Sequence, residues 1–394
     1  MQHHTKQKTF MQPVLFPQST VNNPFEIYAR KLQESPVYRD EAQQVWGIYS
    51  YEHCLQLLTG NDAHIPALPV LPAGTLNDQV LTIIEHHTRL NNGTAHRSTR
   101  EIAMGLYNAR LPISPIGLLA TSLSHKNLRN EIDWVQEVGK QLPLACMLQE
   151  FQFNEKDRES ILMYIAVLVK IMVPDKTAQQ IAAINAATRE VYQLTERHIL
   201  HTPSLYAIAH NVSKVSFPTA LAMTVANLVG LMIQSYDAGR GILCNTLLQA
   251  LQHRELAGQP GKEKAMGQLV METLRYDPPV HHTRRVLTND VLLHGQELKK
   301  GDTAILVLAA ANRDAMHFER PDAFDIYRAN NEAHLTFGAG AHRCMANHST
   351  VRFATEILNY LLTRYPRLQL LTTEITYEPA MNVRLPKEMM LSLS

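Results

Sequence analysis

From Glu131 to Ile199, apolar residues recur at three- and four-residue steps, the period of helices with one buried face. Between Val215 and Leu251 the pattern changes. Apolar positions run on almost without charge, broken only by small residues, and predict one long helix. Near the start, Phe25–Leu32 reads as a helix and Gln44–Ile48 as a strand. The segments Val286–Leu293 and Thr303–Leu308 are β-rich and flank a turn at Lys299-Lys300-Gly301-Asp302. A hairpin is predicted for Glu374–Ser394. Residues 61–92, rich in Pro, Gly and polar side chains, read as a long loop, and long loops in compact domains are often functional lids.

Composition narrows the classes. The chain has 394 residues, 45% hydrophobic and 19% charged, enough for a sizeable core. No Pro/Gly/Ser-rich linker, charge block or internal repeat divides it. A net charge of +1 gives no global drive toward nucleic acid or an anionic membrane. The stretch Met1–Phe16 is polar and interrupted by Pro13, so no membrane anchor or signal peptide is expected. The four cysteines, Cys54, Cys146, Cys244 and Cys344, are widely spaced without a CxxC pair, which fits a reduced compartment and no disulfide framework. Nineteen histidines make any single one unremarkable, and none shows zinc-ligand spacing with a partnered Cys or Glu.

Candidate chemistry concentrates in His334-Leu-Thr-Phe337-Gly338-Ala-Gly340-Ala-His342-Arg343-Cys344-Met-Ala346. Glycines allow positive φ and a close backbone approach to a flat ligand. Loop N–H groups aimed at a sulfur would hold it as thiolate, the form that ligates iron. Standing alone, the run reads equally as a buried cysteine in a glycine-rich turn. It resembles the haem-binding loop of the cytochrome P450 family, Phe-x-x-Gly-x-x-x-Cys-x-Gly, with Ala346 in place of the last glycine. Three further constellations carry the resemblance over roughly residues 90 to 385. Glu272-Thr-Leu-Arg275 places an acid and a base one helical turn apart. Ala311-Asn-Arg313-Asp314, Phe318, Pro321, Phe324-Asp325 and Arg328 follow. Upstream, His96 and Arg100 stand at i, i+4 on one helix face, although an exposed basic face would look the same.

The resemblance implies a mainly α fold with a small β lobe, one large domain spanning 1–394, of the soluble bacterial and cytoplasmic kind. It implies haem b with Cys344 as axial ligand, beside Phe337 and Gly338. Propionate anchors would be His96, Arg100, Arg285 and His342, while Arg313 and Arg328 would join the Glu272–Arg275 pair as neutralised charge. Residues 61–92 would cover the substrate. Val280, His281 and His282, with the tip at Met381, Asn382 and Val383, are candidates for lining the pocket. For the histidines, packing at the surface or against a propionate is an equal alternative.

The long helix departs from the family's distal element, Ala-Gly-x-acid-Thr. The best register is Gln234-Ser235-Tyr236-Asp237-Ala238-Gly239, so the acid is Asp237 and the alcohol becomes Ala238, which cannot donate a hydrogen bond. A substrate hydroxyl or ordered water could fill the gap, Ser235 or Gln234 could supply the contact, or the chemistry could need no usual dioxygen scission. Gly239 and Gly241 could loosen the helix just beyond. The implied activity is monooxygenation of a small organic substrate. No flavin or nicotinamide signature is present, which implies a ferredoxin or flavodoxin with its reductase as electron donor. A peroxide-using or non-oxygenating enzyme and a haem-based sensor are the alternatives.

Overall fold

The structure is a computed structural model and describes residues 12–69, 71–124, 130–212, 215–257 and 262–393. Most of the Met1–Phe16 stretch lies outside the described residues. The predicted long helix is Phe217–Gln252, and its start is set by local chemistry: Ser216 caps it, accepting from the Thr219 N–H at 3.5 Å, with Pro218 in the first turn. At 1.5 Å per residue its 36 residues span about 54 Å. Among the described residues it alone is long and apolar enough to cross a membrane, yet 67% of its most apolar window is buried inside the fold. It is the axis of the helical core. Packed against it are Asp78–His86, Gly93–Ala109, Leu142–Glu150, Ala178–His201, Lys262–Tyr276 and Asn347–Arg364. Leu106, Val191, Val229, Leu247, Leu269 and Leu358 are fully buried between these helices, each contributing roughly 1.5–3 kcal/mol by leaving water.

The β lobe is a five-stranded sheet in the order Val37–Asp40, Val45–Ile48, Thr303–Leu306, Thr283–Leu287, Ala63–His64. Val45–Ile48 runs parallel to Thr303–Leu306, and the other neighbours are antiparallel. A small hairpin, Val291–Leu293 with Gln296–Leu298, turns through His294 (φ 48°) and Gly295 (φ 73°), a two-residue connection with both centres left-handed.

Four expectations change. Residues 61–92 are not one long loop: Ala63–His64 joins the sheet, and Asp78–His86 is a helix capped by Asn77, which accepts from the Val80 N–H at 3.0 Å. Val80 and Ile83 are fully buried there, so a short amphipathic face was hidden by the surrounding polar composition. The stretch 131–199 opens with the strand Glu131–Asp133 before its helices begin. The C-terminal segment is only partly a hairpin. Tyr377 bridges Pro386, but Met390–Ser392 leaves to pair with Gln369–Leu370 and Glu131–Asp133. Gly239 and Gly241 do not loosen the long helix, which continues through both. They permit close packing instead, since a Cβ would stand 2.6 Å from Pro143 and 2.4 Å from Pro279 respectively.

Candidate active site

The cysteine loop is built from backbone geometry. Asn312 Oδ1 accepts from the Leu335 N–H at 2.7 Å, and the Cys344 N–H donates to the Phe337 carbonyl at 2.8 Å, closing the run into a compact turn. Gly338 and Gly340 have φ of 67° and 65°, and a Cβ on Gly340 would stand 2.5 Å from the Leu58 carbonyl oxygen. Only glycine fits at that position. Ala346 sits at φ −92° as the N-cap of Asn347–Arg364, an ordinary conformation for an L-residue, which explains why the family's last glycine is dispensable.

The loop opens onto a cavity of about 360 Å³, and the Cys344 sulfur is exposed to it. Burial by the surrounding protein pushes the thiol's pKa up. The Ala346 N–H and the charges of Arg100, Arg89 and Arg343 act against that and favour the thiolate. Phe337 and Gly338 also line the wall.

All four expected anion-binding residues reach the same cavity. His96 and Arg100 project from Gly93–Ala109; His342 comes from the cysteine loop and Arg285 from the strand Thr283–Leu287. The His96 and His342 rings lie 3.9 Å apart between centroids. Burial lowers the pKa of both, that of His342 to about 3, reinforced by neighbouring cations. Arg100 Nη2 donates to the Arg343 carbonyl at 2.7 Å. Arg285 is buried, which pulls its pKa down to about 10, and among the described residues it donates only to Thr283 Oγ1 and the Arg284 carbonyl. Sequence reading missed Arg89, which lines the cavity too. Its signal was faint: one cation in a turn, seven residues before His96.

The opposite wall is one face of the long helix, where Leu231, Gln234, Ser235, Ala238, Gly239 and Ile242 line the cavity at helical spacing. Ser235 donates to the Met232 carbonyl at 2.8 Å and Gln234 to that of Gly230 at 3.2 Å, so both bond back onto their own helix. Asp237 is not on this wall, which corrects its assignment as an acid facing the cavity. Its carboxylate pairs with Arg240 at 3.0 Å, and Arg240 also pairs with Glu378 at 3.3 Å. Burial raises the pKa of Asp237 and Arg240 opposes the rise.

Of the substrate candidates, Val280 lines the cavity and the others do not. His281 is fully buried against Phe25 and Tyr28, with Nδ1 3.0 Å from the Tyr28 hydroxyl. His282 Nε2 lies 3.0 Å from the Met381 carbonyl, and burial brings its pKa down to about 4. Met381 is 40% exposed, and the Asn382 carbonyl accepts from the His281 N–H at 2.9 Å. These contacts tie the C-terminal tip to the lobe and leave Val280 as the one candidate of this set on the cavity wall.

Behind the cysteine loop, Glu272 and Arg275 are fully buried and bidentate, at 2.9 and 2.6 Å. Arg275 also donates to the carbonyls of Asn312, Pro321 and Ala323. Arg328 joins through Glu272 Oε1 at 3.3 Å. Arg313 does not join. It donates to the Tyr276 carbonyl, stacks on Phe25 and Tyr276, and meets Asp322 at 3.3 Å.

Comparison with known proteins gives a consistent picture. The family model described as Cytochrome P450 matches residues 265–363, which include the buried ion pair and the cysteine loop. The chain is 27% identical to the biotin biosynthesis cytochrome P450 of Bacillus subtilis, over 94% of this chain and 96% of that protein. It is 25% identical to cytochrome P450 NovI of Streptomyces niveus, over 86% and 79% of the two chains. Among solved structures, P450BioI in complex with hexadec-9Z-enoic acid ligated acyl carrier protein superposes with a TM-score of 0.81 at 23% identity, covering 94% and 98%. CalO2 gives 0.82 at 21% identity, covering 94% and 96%.

Proposed function

We propose that this chain is a cytochrome P450 that inserts one oxygen atom from dioxygen into a small, largely apolar organic molecule, with Cys344 as the residue that would ligate the haem iron. The family binds haem through a cysteine thiolate and its members are oxidoreductases. The cavity residues fit that group. Phe337, Val280 and Leu231 supply apolar wall, the Cys344 sulfur lies in the glycine loop beside it, and Arg100 and Arg285 reach it with no ion pair to any described carboxylate. A haem carries two propionates that charged donors of this kind hold well. The single observation that carries the reading is this meeting of Cys344 with the cation set across one cavity.

A haem bound here would supply the oxidising chemistry, with the Cys344 thiolate as the residue that would hold its iron. The chain's own residues do the rest. His96, Arg100, Arg285 and His342 would hold the propionates. The Gly340 turn brings the loop backbone to within contact of Leu58, and the Ala346 N–H steadies the sulfur's charge. The face Leu231–Ile242 closes the opposite side. Ser235 Oγ, already donating to Met232, retains acceptor capacity toward the cavity, and Ala238 leaves room for a ligand's own polar group. Asp237 acts from behind this wall as the partner of Arg240. Electrons come from a ferredoxin or flavodoxin with its reductase, and the enzyme works in the cytoplasm. The P450BioI structure is a complex with an acyl chain on acyl carrier protein, so fatty acids and acyl carrier protein conjugates head the list for a ligand screen by absorbance shift.

Two measurements test this reading. Oxygen uptake with a reconstituted redox partner should be matched by product. A hydrogen peroxide shunt distinguishes the peroxide-using alternative, which Ala238 on the wall specifically favours, and a protein that turns over under neither condition is a binder or sensor. Within the monooxygenase reading, a substrate bearing a hydroxyl or amine beside Ala238 should couple electron use to product. An analogue lacking that group should divert electrons to peroxide, and Ala238→Thr should improve the analogue more than the substrate. Equal coupling for both, unmoved by Ala238→Thr, would mean that protons arrive by another path. The double variant Arg100→Ala/Arg285→Ala should lower haem occupancy without unfolding the chain, each charge-assisted contact contributing about 1–3 kcal/mol. Full haem loading by that variant would sink the propionate assignment.

A further inference from the structure

The helix Gly93–Ala109 grips the cysteine loop from two positions, about two turns apart on one face. Ahead of the sulfur, Arg100 Nη2 holds the Arg343 carbonyl. Beyond it, the Tyr107 hydroxyl donates to Ser349 Oγ at 2.7 Å, and Ser349 Oγ donates to the Ala346 carbonyl at 3.0 Å. A carbonyl can only accept, so Ser349 uses its one proton there and must accept from Tyr107. The chain therefore runs one way, from Tyr107 through Ser349 to Ala346. Tyr107 is itself held. The Arg110 guanidinium lies 3.7 Å from its ring centroid, Arg110 Nε donates to its carbonyl at 2.9 Å, and Glu150 pairs with Arg110 at 2.7 Å.

Ala346 is the residue at which this chain ends. It is the N-cap of Asn347–Arg364, and its methyl group cannot cap the helix with a hydrogen bond of its own. Its N–H faces the Cys344 sulfur, and its carbonyl takes two donors, the Thr350 N–H at 2.8 Å and Ser349 Oγ. Both groups belong to one residue, whose φ of −92° and ψ of 9° orient them together. The contact of Gly340 with Leu58 and the Glu272 network brace the stretch before Cys344, whereas the hydroxyl chain braces the turn after it. Packing two helices together needs only the Tyr107 ring. Two facing hydroxyls add direction, because each must point at its acceptor.

We propose that Tyr107 and Ser349 are positioning residues for the axial sulfur: their hydroxyl chain holds the Ala346 turn so that its N–H stays on Cys344. The proposal rests on the haem-protein reading above. A donor on the sulfur stabilises the charge it carries and lessens what it passes to an iron that it holds. Removing either hydroxyl leaves the two helices packed but frees the turn. The sulfur then passes on more charge, which favours the oxidised iron and strengthens the bond between iron and sulfur.

The test compares holoprotein of the wild type with Tyr107→Phe, Ser349→Ala, the two combined, and Ser349→Thr. Ser98→Ala, which removes an exposed hydroxyl from the same helix, is the control. Spectroelectrochemistry reads the reduction potential, resonance Raman the iron–sulfur stretch, and thermal unfolding the stability. Tyr107→Phe should shift the ferric/ferrous ratio about fivefold toward ferric, roughly 40 mV for a one-electron couple, and raise the stretching frequency. Ser349→Ala should match it. The double variant should go no further than either single, because the two hydroxyls act as one chain. Ser349→Thr keeps the hydroxyl and should keep the wild-type potential. A merely structural link would lower the melting temperature while potential and stretch stay with Ser98→Ala, and that result overturns the proposal. So do additive shifts in the double variant, since Tyr107 and Ser349 would then act separately. Should Ser349→Ala fail to fold, Tyr107→Phe, which retains the ring, decides by itself. In all these outcomes the haem-protein reading stands, whereas a wild type that binds no haem overturns both.

Discussion

Replacing Cys344 with Ala should remove the red-shifted Soret band of the ferrous–carbon monoxide complex, and Cys146→Ala should leave it in place. The pair of variants matters because two cysteines line the cavity, Cys344 and Cys146. Their surroundings differ in sign. Cys146 projects from Leu142–Glu150, where burial pushes its thiol up to about 12 and the carboxylates of Glu150 and Glu356 push the same way. Such a sulfur stays protonated and is a poor iron ligand. Around Cys344 burial also raises the pKa, but the Ala346 N–H, Arg100, Arg89 and Arg343 all favour the anion. Iron binding adds a further cation beside it, and metal coordination requires the thiolate. Cys344→Ser should lose the band as well, since a serine hydroxyl titrates far too high to replace a thiolate. The check is the difference spectrum of each reduced variant with and without carbon monoxide. A retained band in Cys344→Ala moves the ligand assignment to Cys146.

How much of this was legible before any coordinates depended on the range of the interactions. The cysteine loop is contiguous and its shape is set by Gly338 and Gly340, so the run between Phe337 and Cys344 announced itself. The pair Glu272 and Arg275 needs only one helical turn, and the inward face of the long helix follows from its period. That same period argues against Asp237. At 3.6 residues per turn it lies about 130° around the helix from the middle of the cavity-lining face. Matching it to the family's acid rested on sequence order alone, while the structure pairs it with Arg240. The histidines His281 and His282 misled because nearness in sequence to Val280 says nothing about which way a ring turns once Tyr28 and Met381 offer it partners. Arg89 left only a faint local signal. Its place depends on Asn227, more than a hundred residues downstream, holding the turn that carries it.

Glu272→Gln should be the most damaging substitution outside the cavity, lowering stability by about 3–5 kcal/mol. Glu272 is fully buried and one oxygen, Oε1, accepts from Arg275 Nη2, from the Asp325 N–H and from Arg328 Nε, while Oε2 accepts from Arg275 Nε. Gln is close in shape, so the change leaves no cavity. It removes the only carboxylate among the described residues that faces these two buried guanidiniums, and it puts an amide NH₂ where an acceptor is required. The two cations are then left without compensation in a site that excludes water, which is where most of the cost arises. Arg275 also holds the carbonyls of Asn312, Pro321 and Ala323, and Asn312 in turn holds the Leu335 N–H at the start of the cysteine loop. Loss of the pair should therefore reach the haem site, so the variant should lose haem more readily as well as unfold earlier. The half-exposed pair Arg352–Glu356, at 3.3 Å and i, i+4 on Asn347–Arg364, is the control. Arg352→Ala should change stability by no more than about 0.5 kcal/mol. Denaturant unfolding of both variants, followed by far-UV dichroism and by haem absorbance, reads the two effects separately. Should Glu272→Gln unfold at the same denaturant concentration as Arg352→Ala, the buried network is not what braces the loop, and Cys344 must be positioned by the backbone contacts of Gly340 and Leu58 alone.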